Sequence, residues 1–234
     1  MMWYADLQMF LMDEVAEYDA IVSDPTRVYN ADESRFPLSV ESAKVLAEKG
    51  SKYVFSLSSD NHQQITVLAC VNANGSYMPP MIIYKGERKR NCNMQNFEEA
   101  IYASTKKGWM DSETFLSWAE HFSEYLSVNS IRRPVILFLD GHSSHLSYEV
   151  ANFCKEKGII LYCLPAHSSH AMQPLDVGVF GPMKAAWHNA LRKWHWNNPG
   201  KAFCKGDFTG VWKEETSTIE KARRGLLRSG LISP

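Results

Sequence analysis

The chain has 234 residues, 45% of them hydrophobic and 12% aromatic, with a formal net charge of −1 at pH 7. That is enough for one sizeable core and excludes a disordered chain. No apolar run is long enough to cross a bilayer, no secretory leader is visible, and the near-zero charge counts against tight DNA binding by bulk charge alone.

The first predicted element is a helix from Ala5 to Ala20, part of a leading helical segment over residues 1–26. Leu7, Phe10, Leu11, Val15 and Tyr18 share one face. Arg27 to Ala31 reads as a short strand that delivers Asp32 and Glu33. A helix from Ser39 to Glu48 is closed by Gly50. Tyr53–Ser58, Gln64–Val71 and Tyr77–Tyr84 are β-rich, with Asn72-Ala73-Asn74-Gly75 as a hairpin turn. Pro79-Pro80 predicts an edge or a bulge in the third of these. The basic run from Lys85 through Arg88, Lys89 and Arg90 is either a solvated turn or a phosphate contact.

Asp111 or Ser112 caps a helix with Phe115, Trp118, Ala119, Phe122 and Leu126 on one side. Val135 to Leu139 is an apolar strand ending at Asp140. Ser147 caps a short helix that turns Val150, Phe153 and Cys154 inward and stops at Gly158. Ile159 to Leu164 is a second apolar strand, of the kind buried on both faces of a sheet. Pro174 starts a helix that holds Asp176 in its first turn and runs towards Trp196. Trp187, Leu191 and Trp194 form its apolar stripe, read as core; Lys184, His188 and Arg192 lie on another face. Helices near Phe208–Glu215 and Thr218–Arg228 form a C-terminal extension over 200–234. The order of elements implies an α/β fold with a mixed sheet flanked by helices.

Ligand sites in such sheets gather at the carboxyl ends of strands, where Asp32 and Asp140 are expected, with Asp176 arriving from the following helix. One aspartate after a strand is usually a turn or cap residue. Three in such settings read as one centre for divalent metal. Two Mg²⁺ ions shared by carboxylates suit in-line attack on a phosphodiester, and Mg²⁺ keeps several waters, so few carboxylates suffice. Glu33 is expected beside the site or on the surface. His142 reads as a loop hydrogen-bonding residue, whereas His145 is either another such residue or one that orients a carboxylate or meets a phosphate. Cys163, His167 and His170 lack the spacing of a closed zinc site. The five cysteines, odd in number and without Cys-x-x-Cys, fit a reduced intracellular setting.

Four passages carry a more specific signal: Tyr29-Asn30-Ala31-Asp32-Glu33-Ser34, Leu137-Phe138-Leu139-Asp140-Gly141-His142-Ser143-Ser144-His145, Leu164-Pro165-Ala166-His167-Ser168-Ser169-His170, and Gln173-Pro174-Leu175-Asp176 followed by Lys184. Gly108-Trp109-Met110 to Trp118 and the ending Leu226 to Pro234 add to it. Together these resemble the catalytic domain of DDE superfamily transposases, closest to the pogo, Tigger and jerky-like group. The resemblance covers almost the whole chain as a single catalytic domain, without the amino-terminal helix-turn-helix region that such proteins usually carry. It implies a ribonuclease-H-like fold and an Asp-Asp-Asp triad on Asp32, Asp140 and Asp176.

The resemblance further implies Mg²⁺ or Mn²⁺ as cofactor, two ions in number, and DNA as partner. A homo-oligomer, a separate DNA-binding domain and a nuclear location are also expected. Lys85, Arg88, Lys89, Arg90, His145, Lys184 and Arg192 are the candidate nucleic-acid contacts. The leading expectation is a metal-dependent DNA endonuclease and strand-transfer domain of transposon origin. The alternatives are a domesticated, non-catalytic nuclear interaction module for DNA or protein, and a ribonuclease-H-like exonuclease or RNase.

Overall fold

A computed structural model describes residues 9–10, 12, 18–39, 49–50, 63–86, 97–141, 147–165 and 172–214. Its frame is a six-stranded sheet: β1 (Val28–Pro37), β2 (Gln64–Asn72), β3 (Met81–Lys85), β4 (Ile101–Thr105), β5 (Val135–Leu139) and β6 (Ile159–Cys163). The order across the sheet is β4-β3-β2-β1-β5-β6. β1 and β2 pair antiparallel from Tyr29 opposite Asn72 to Pro37 opposite Gln64. β2 and β3 are antiparallel, and the β1–β5, β5–β6 and β3–β4 pairs are parallel. The carboxyl ends of five strands therefore point to one end of the sheet.

The helices among the described residues include α1 (Tyr18–Val22), α2 (Ser112–Val128), α3 (Tyr148–Glu156), α4 (Gly181–Asn197) and α5 over 205–214. Alternation along the strands divides the core in two. On one face Tyr29, Ala31, Leu68, Cys70, Leu137 and Leu139 meet Phe115, Trp118, Phe122 and Leu126 of α2 and Val150 and Cys154 of α3. On the other, Phe36, Ile65, Val67 and Ile82 meet Trp187 and Leu191 of α4 and Phe208 and Trp212 of α5.

Both middle helices start as their caps dictate. The Asp111 carboxylate accepts the Thr114 N–H at 2.9 Å, and the Ser147 hydroxyl accepts the Val150 N–H at 3.3 Å. The Asn72–Gly75 turn closes with the Gly75 N–H donating to the Asn72 carbonyl, and Gly75 takes the positive φ of 80° that a side chain would resist.

Several expectations need correction. β1 runs ten residues, so Asp32 lies inside it and not at its end. The added half is held by the long antiparallel ladder with β2, an interaction that a local reading of Arg27–Ala31 does not contain. β3 begins at Met81, because Pro79 and Pro80 have no N–H for the ladder; Tyr77 makes only an isolated bridge to Val71. The sheet edge on that side is β4, which the sequence reading left unassigned. β6 ends the other side of the sheet and is mostly half-buried, so its apolar run marks an edge and not a covered interior strand. A π-helical turn, Asp176–Phe180, precedes α4 where a regular helix was expected. The predicted helices at 39–48 and 218–228, the strand at 53–58 and most of the leading helix lie outside the described residues.

Candidate active site

Asp32 is the fifth residue of β1 and shares the strand face of Phe36, the face covered by α4. Its side chain is 7% exposed. Its Oδ1 accepts the Glu33 backbone N–H at 2.8 Å. Burial, then the negative charges of Asp176, Glu33 and Asp140, push its carboxyl up to about 7, against the lowering effect of the Glu33 N–H. Asp140 follows the last residue of β5 and is half-buried, while Asp176 opens the π turn and is exposed. β5 pairs with β1 only along Val28–Asn30, so β5 ends beside Asp32. Segments far apart in the chain thus bring Asp140 and Asp176 within electrostatic reach of Asp32.

What holds these segments together is a buried pair of amides that sequence reasoning did not single out. The Asn30 Nδ2 donates to the Phe138 carbonyl at 3.1 Å and to Gln173 Oε1 at 2.9 Å. The Asn30 Oδ1 accepts the Leu175 N–H at 3.2 Å. Gln173, fully buried, donates from Nε2 to the Ala31 carbonyl at 3.3 Å. Asn30 stands two residues before Asp32, Phe138 two before Asp140, and Gln173 three before Asp176. The pair therefore ties together the backbones that deliver all three carboxylates. The available signal was two amides sitting in otherwise apolar strand and helix starts, where a polar group is retained only if it is bonded.

Gln173→Ala removes the bonds to Asn30 and Ala31 and leaves a void. The expected loss is about 2 kcal/mol of stability, with metal affinity lowered by roughly tenfold. Urea unfolding and metal titration of the same sample read both.

The remaining predicted residues are placed less centrally. Lys85 ends β3 and is exposed. Lys184 and Arg192 are exposed on α4. Arg88, Lys89, Arg90, His142, His145, His167 and His170 lie outside the described residues. Cys163 is opposite Leu139 in the β5–β6 ladder; burial first, and then the charge of Asp140, push its thiol up.

Among the described residues the donors around Asp32 are carboxylate oxygens, which suit a hard cation such as Mg²⁺ or Mn²⁺. A carboxyl raised first by burial and then by neighbouring acids is also what an arriving cation would relieve. Among the described residues no three His, Cys, Asp or Glu side chains close into a ready cage. That is compatible with an ion that keeps most of its own water.

A mixed six-stranded sheet in this order with helices on both faces is a ribonuclease-H-like fold, the fold of transposase catalytic domains. Two solved structures share that fold. The Mos1 transposase paired-end complex with left transposon end has a TM-score of 0.53 at 13% identity, covering 92% of this chain and 60% of that one. A pre-cleavage Mos1 transpososome has a TM-score of 0.53 at 12% identity, covering 90% and 59%.

The family model described as DDE superfamily endonuclease matches residues 62–205, and the chain belongs to that family, in its pogo and Tigger group. The matched span holds Asp140 and Asp176 and begins after Asp32. Among curated proteins, the human pogo transposable element with ZNF domain is 26% identical over 128 residues, 55% of this chain and 9% of its own length. The human pogo transposable element with KRAB domain is 24% identical over 166 residues, 70% of this chain and 27% of its own. A protein of Cochliobolus lunatus named MFS-type transporter clz9 is 31% identical over 184 residues, 75% of this chain and 19% of its own. The chain thus spans about a quarter or less of these relatives. Among its described residues no helix is long and apolar enough to cross a membrane.

Proposed function

We propose that the chain is a metal-dependent DNA endonuclease and strand-transfer domain of transposon origin, with Asp32, Asp140 and Asp176 as its carboxylate triad. The observation that carries this reading is the convergence of the Asp140 and Asp176 charges on the buried Asp32. Asp32, Asp140 and Asp176 would hold the Mg²⁺ or Mn²⁺, two ions in this reading. When bound, such ions activate a water or hydroxyl nucleophile and steady the leaving oxygen of a phosphodiester. The protein's own part is positional. The Asn30–Gln173 pair fixes the three backbones, and burial of Asp32 keeps its carboxyl protonated in a good fraction of metal-free molecules near neutral pH. Metal binding must then displace that proton, so affinity rises with pH up to about 7.

Membership of the DDE family supports nuclease chemistry, and the transposon-end complex of a structural neighbour supports DNA as the substrate. A nuclear location, multimeric action on paired ends and reliance on a separate DNA-binding domain belong to the same reading.

The test is nicking of supercoiled plasmid in Mg²⁺ or Mn²⁺, with native protein and Asp140→Asn each fused to a heterologous DNA-binding domain. Loss of roughly a hundredfold in the variant alone supports the triad. Absence of nicking by folded native protein that binds metal overturns the enzymatic reading in favour of a non-catalytic interaction module.

A further inference from the structure

The acids occupy one face of the sheet. Past the same strand ends, with Arg35 and Lys85 on the face opposite Asp32 and Lys205 reaching in from the start of α5, lies an open groove of about 750 Å³ lined by these three, Lys106, Lys107 and Trp109. No carboxylate is among its described lining residues; its other walls are Gln63, Gln64, Thr66, Gly86 and Gly108. In a chain with net charge −1, five cations around one groove are a strong local concentration. Trp109 is 53% exposed, although the chain has ample core for its aromatics, and the Arg35 guanidinium lies 4.2 Å from its ring centroid. Guanidinium and indole together offer the flat π surface on which nucleobases stack.

The groove is built into the fold. The Thr66 hydroxyl donates to the Gly108 carbonyl at 2.7 Å, and the Thr105 hydroxyl donates to the Trp109 carbonyl at 2.8 Å. Gly108 takes a φ of +73°, and a Cβ there would stand 2.9 Å from the Lys85 Cβ. Only glycine lets the Lys106–Lys107 turn sit this close to β3. The Lys205 Nζ donates to the Lys85 carbonyl at 2.9 Å, which draws a fifth cation to the rim.

We infer that this groove is a binding site for a strand of nucleic acid, with phosphates on its lysines and a base on the Trp109–Arg35 stack. Arg35 lies three residues beyond Asp32 on β1, about 10 Å along the strand and on its other face. Pairing with β5 stops at Asn30, so β1 extends past its neighbour on that side between the two sites. The inference rests on the proposed DNA chemistry only in the choice of DNA as ligand; retention in the groove needs neither metal nor cleavage.

The test is fluorescence anisotropy of a labelled single strand of about 20 nucleotides with the full chain in EDTA. Binding in EDTA is read apart from nicking, so a failure here leaves the triad untouched, and a failed nicking assay leaves the groove untouched. Lys106→Ala with Lys107→Ala is expected to weaken binding about tenfold and to flatten the log–log salt dependence by about 1.4. The control, Lys155→Ala with Lys193→Ala, removes equal charge from exposed helix positions elsewhere. Equal losses in the two double variants overturn the site. Trp109→Ala is expected to lose roughly tenfold and Trp109→Phe to retain most of the affinity. Native affinity in Trp109→Ala overturns the stacking of a base.

Discussion

Replacing Asp32 with asparagine is expected to stabilise the metal-free protein at pH 8 while lowering metal-dependent nicking about a thousandfold. The two effects share a cause. Asp32 is buried among acids, and its carboxyl is raised from 3.8 to about 7. Between those values the folded protein holds a proton that the unfolded chain has released. Stability therefore falls as pH rises from about 4 to about 7, by at most about 4 kcal/mol, and is flat above that on account of this group. Asparagine is neutral throughout and removes the slope, and its Oδ1 can still accept the Glu33 N–H. Urea unfolding in chelator from pH 5 to pH 8 measures the difference. Parallel pH profiles for native protein and Asp32→Asn would defeat the argument, because the strained carboxylate would then not be Asp32.

A site that opposes its own fold until a cation arrives is expected of a metal-dependent centre. It also predicts the coupling. Mg²⁺ or Mn²⁺ should raise native stability by mass action and should do so far less in Asp32→Asn. A metal that stabilised both proteins equally would be binding elsewhere.

The legible parts of the fold were those written in one stretch of chain. α2 declares itself through Asp111 and the spacing of Phe115, Trp118, Phe122 and Leu126, and all four of those side chains are buried. β5 and α3 were equally plain, as were the Asn72–Gly75 turn and the core role of Trp187. What escaped depends on partners distant in sequence. The length of β1 is set by β2, and the edge position of β4 is set by pairing to β3. Asn30 and Gln173 look like ordinary polar residues until the fold joins them across 143 positions. Pro174 marked the start of the helical segment at Asp176, but no side-chain cap announced its π geometry. The candidate acids were visible because their motifs are local, whereas the amides that position them were not. The basic groove was visible only at Lys85, since Arg35, Lys106, Lys107 and Lys205 come from three other segments.

Trp187→Ala is expected to destabilise the protein by about 3–5 kcal/mol, enough to leave a marginal domain largely unfolded at moderate temperature. Trp187 is 1% exposed at the centre of the α4 face of the core. Its ring centroid lies 4.8 Å from that of Phe208, 5.8 Å from Phe203, 6.0 Å from Trp212 and 6.2 Å from Phe36. Its indole N–H donates to the Pro37 carbonyl at 2.8 Å, which fastens α4 to the end of β1. The alanine variant loses the ring contacts and leaves both a cavity and an unpaired carbonyl. Trp187→Phe keeps much of the packing and loses only the N–H, so about 1–2 kcal/mol is expected. The consequence reaches the site because α4 continues from the turn that begins at Asp176. Loosening Trp187 therefore frees the segment that supplies one of the three acids, while Asp32 and Asp140 stay on strands held by the sheet. Metal affinity should fall in the alanine variant even in conditions where it remains folded, and should be nearly native in Trp187→Phe. Native metal affinity in a folded Trp187→Ala protein would mean that the Asn30–Gln173 pair alone holds Asp176 in place.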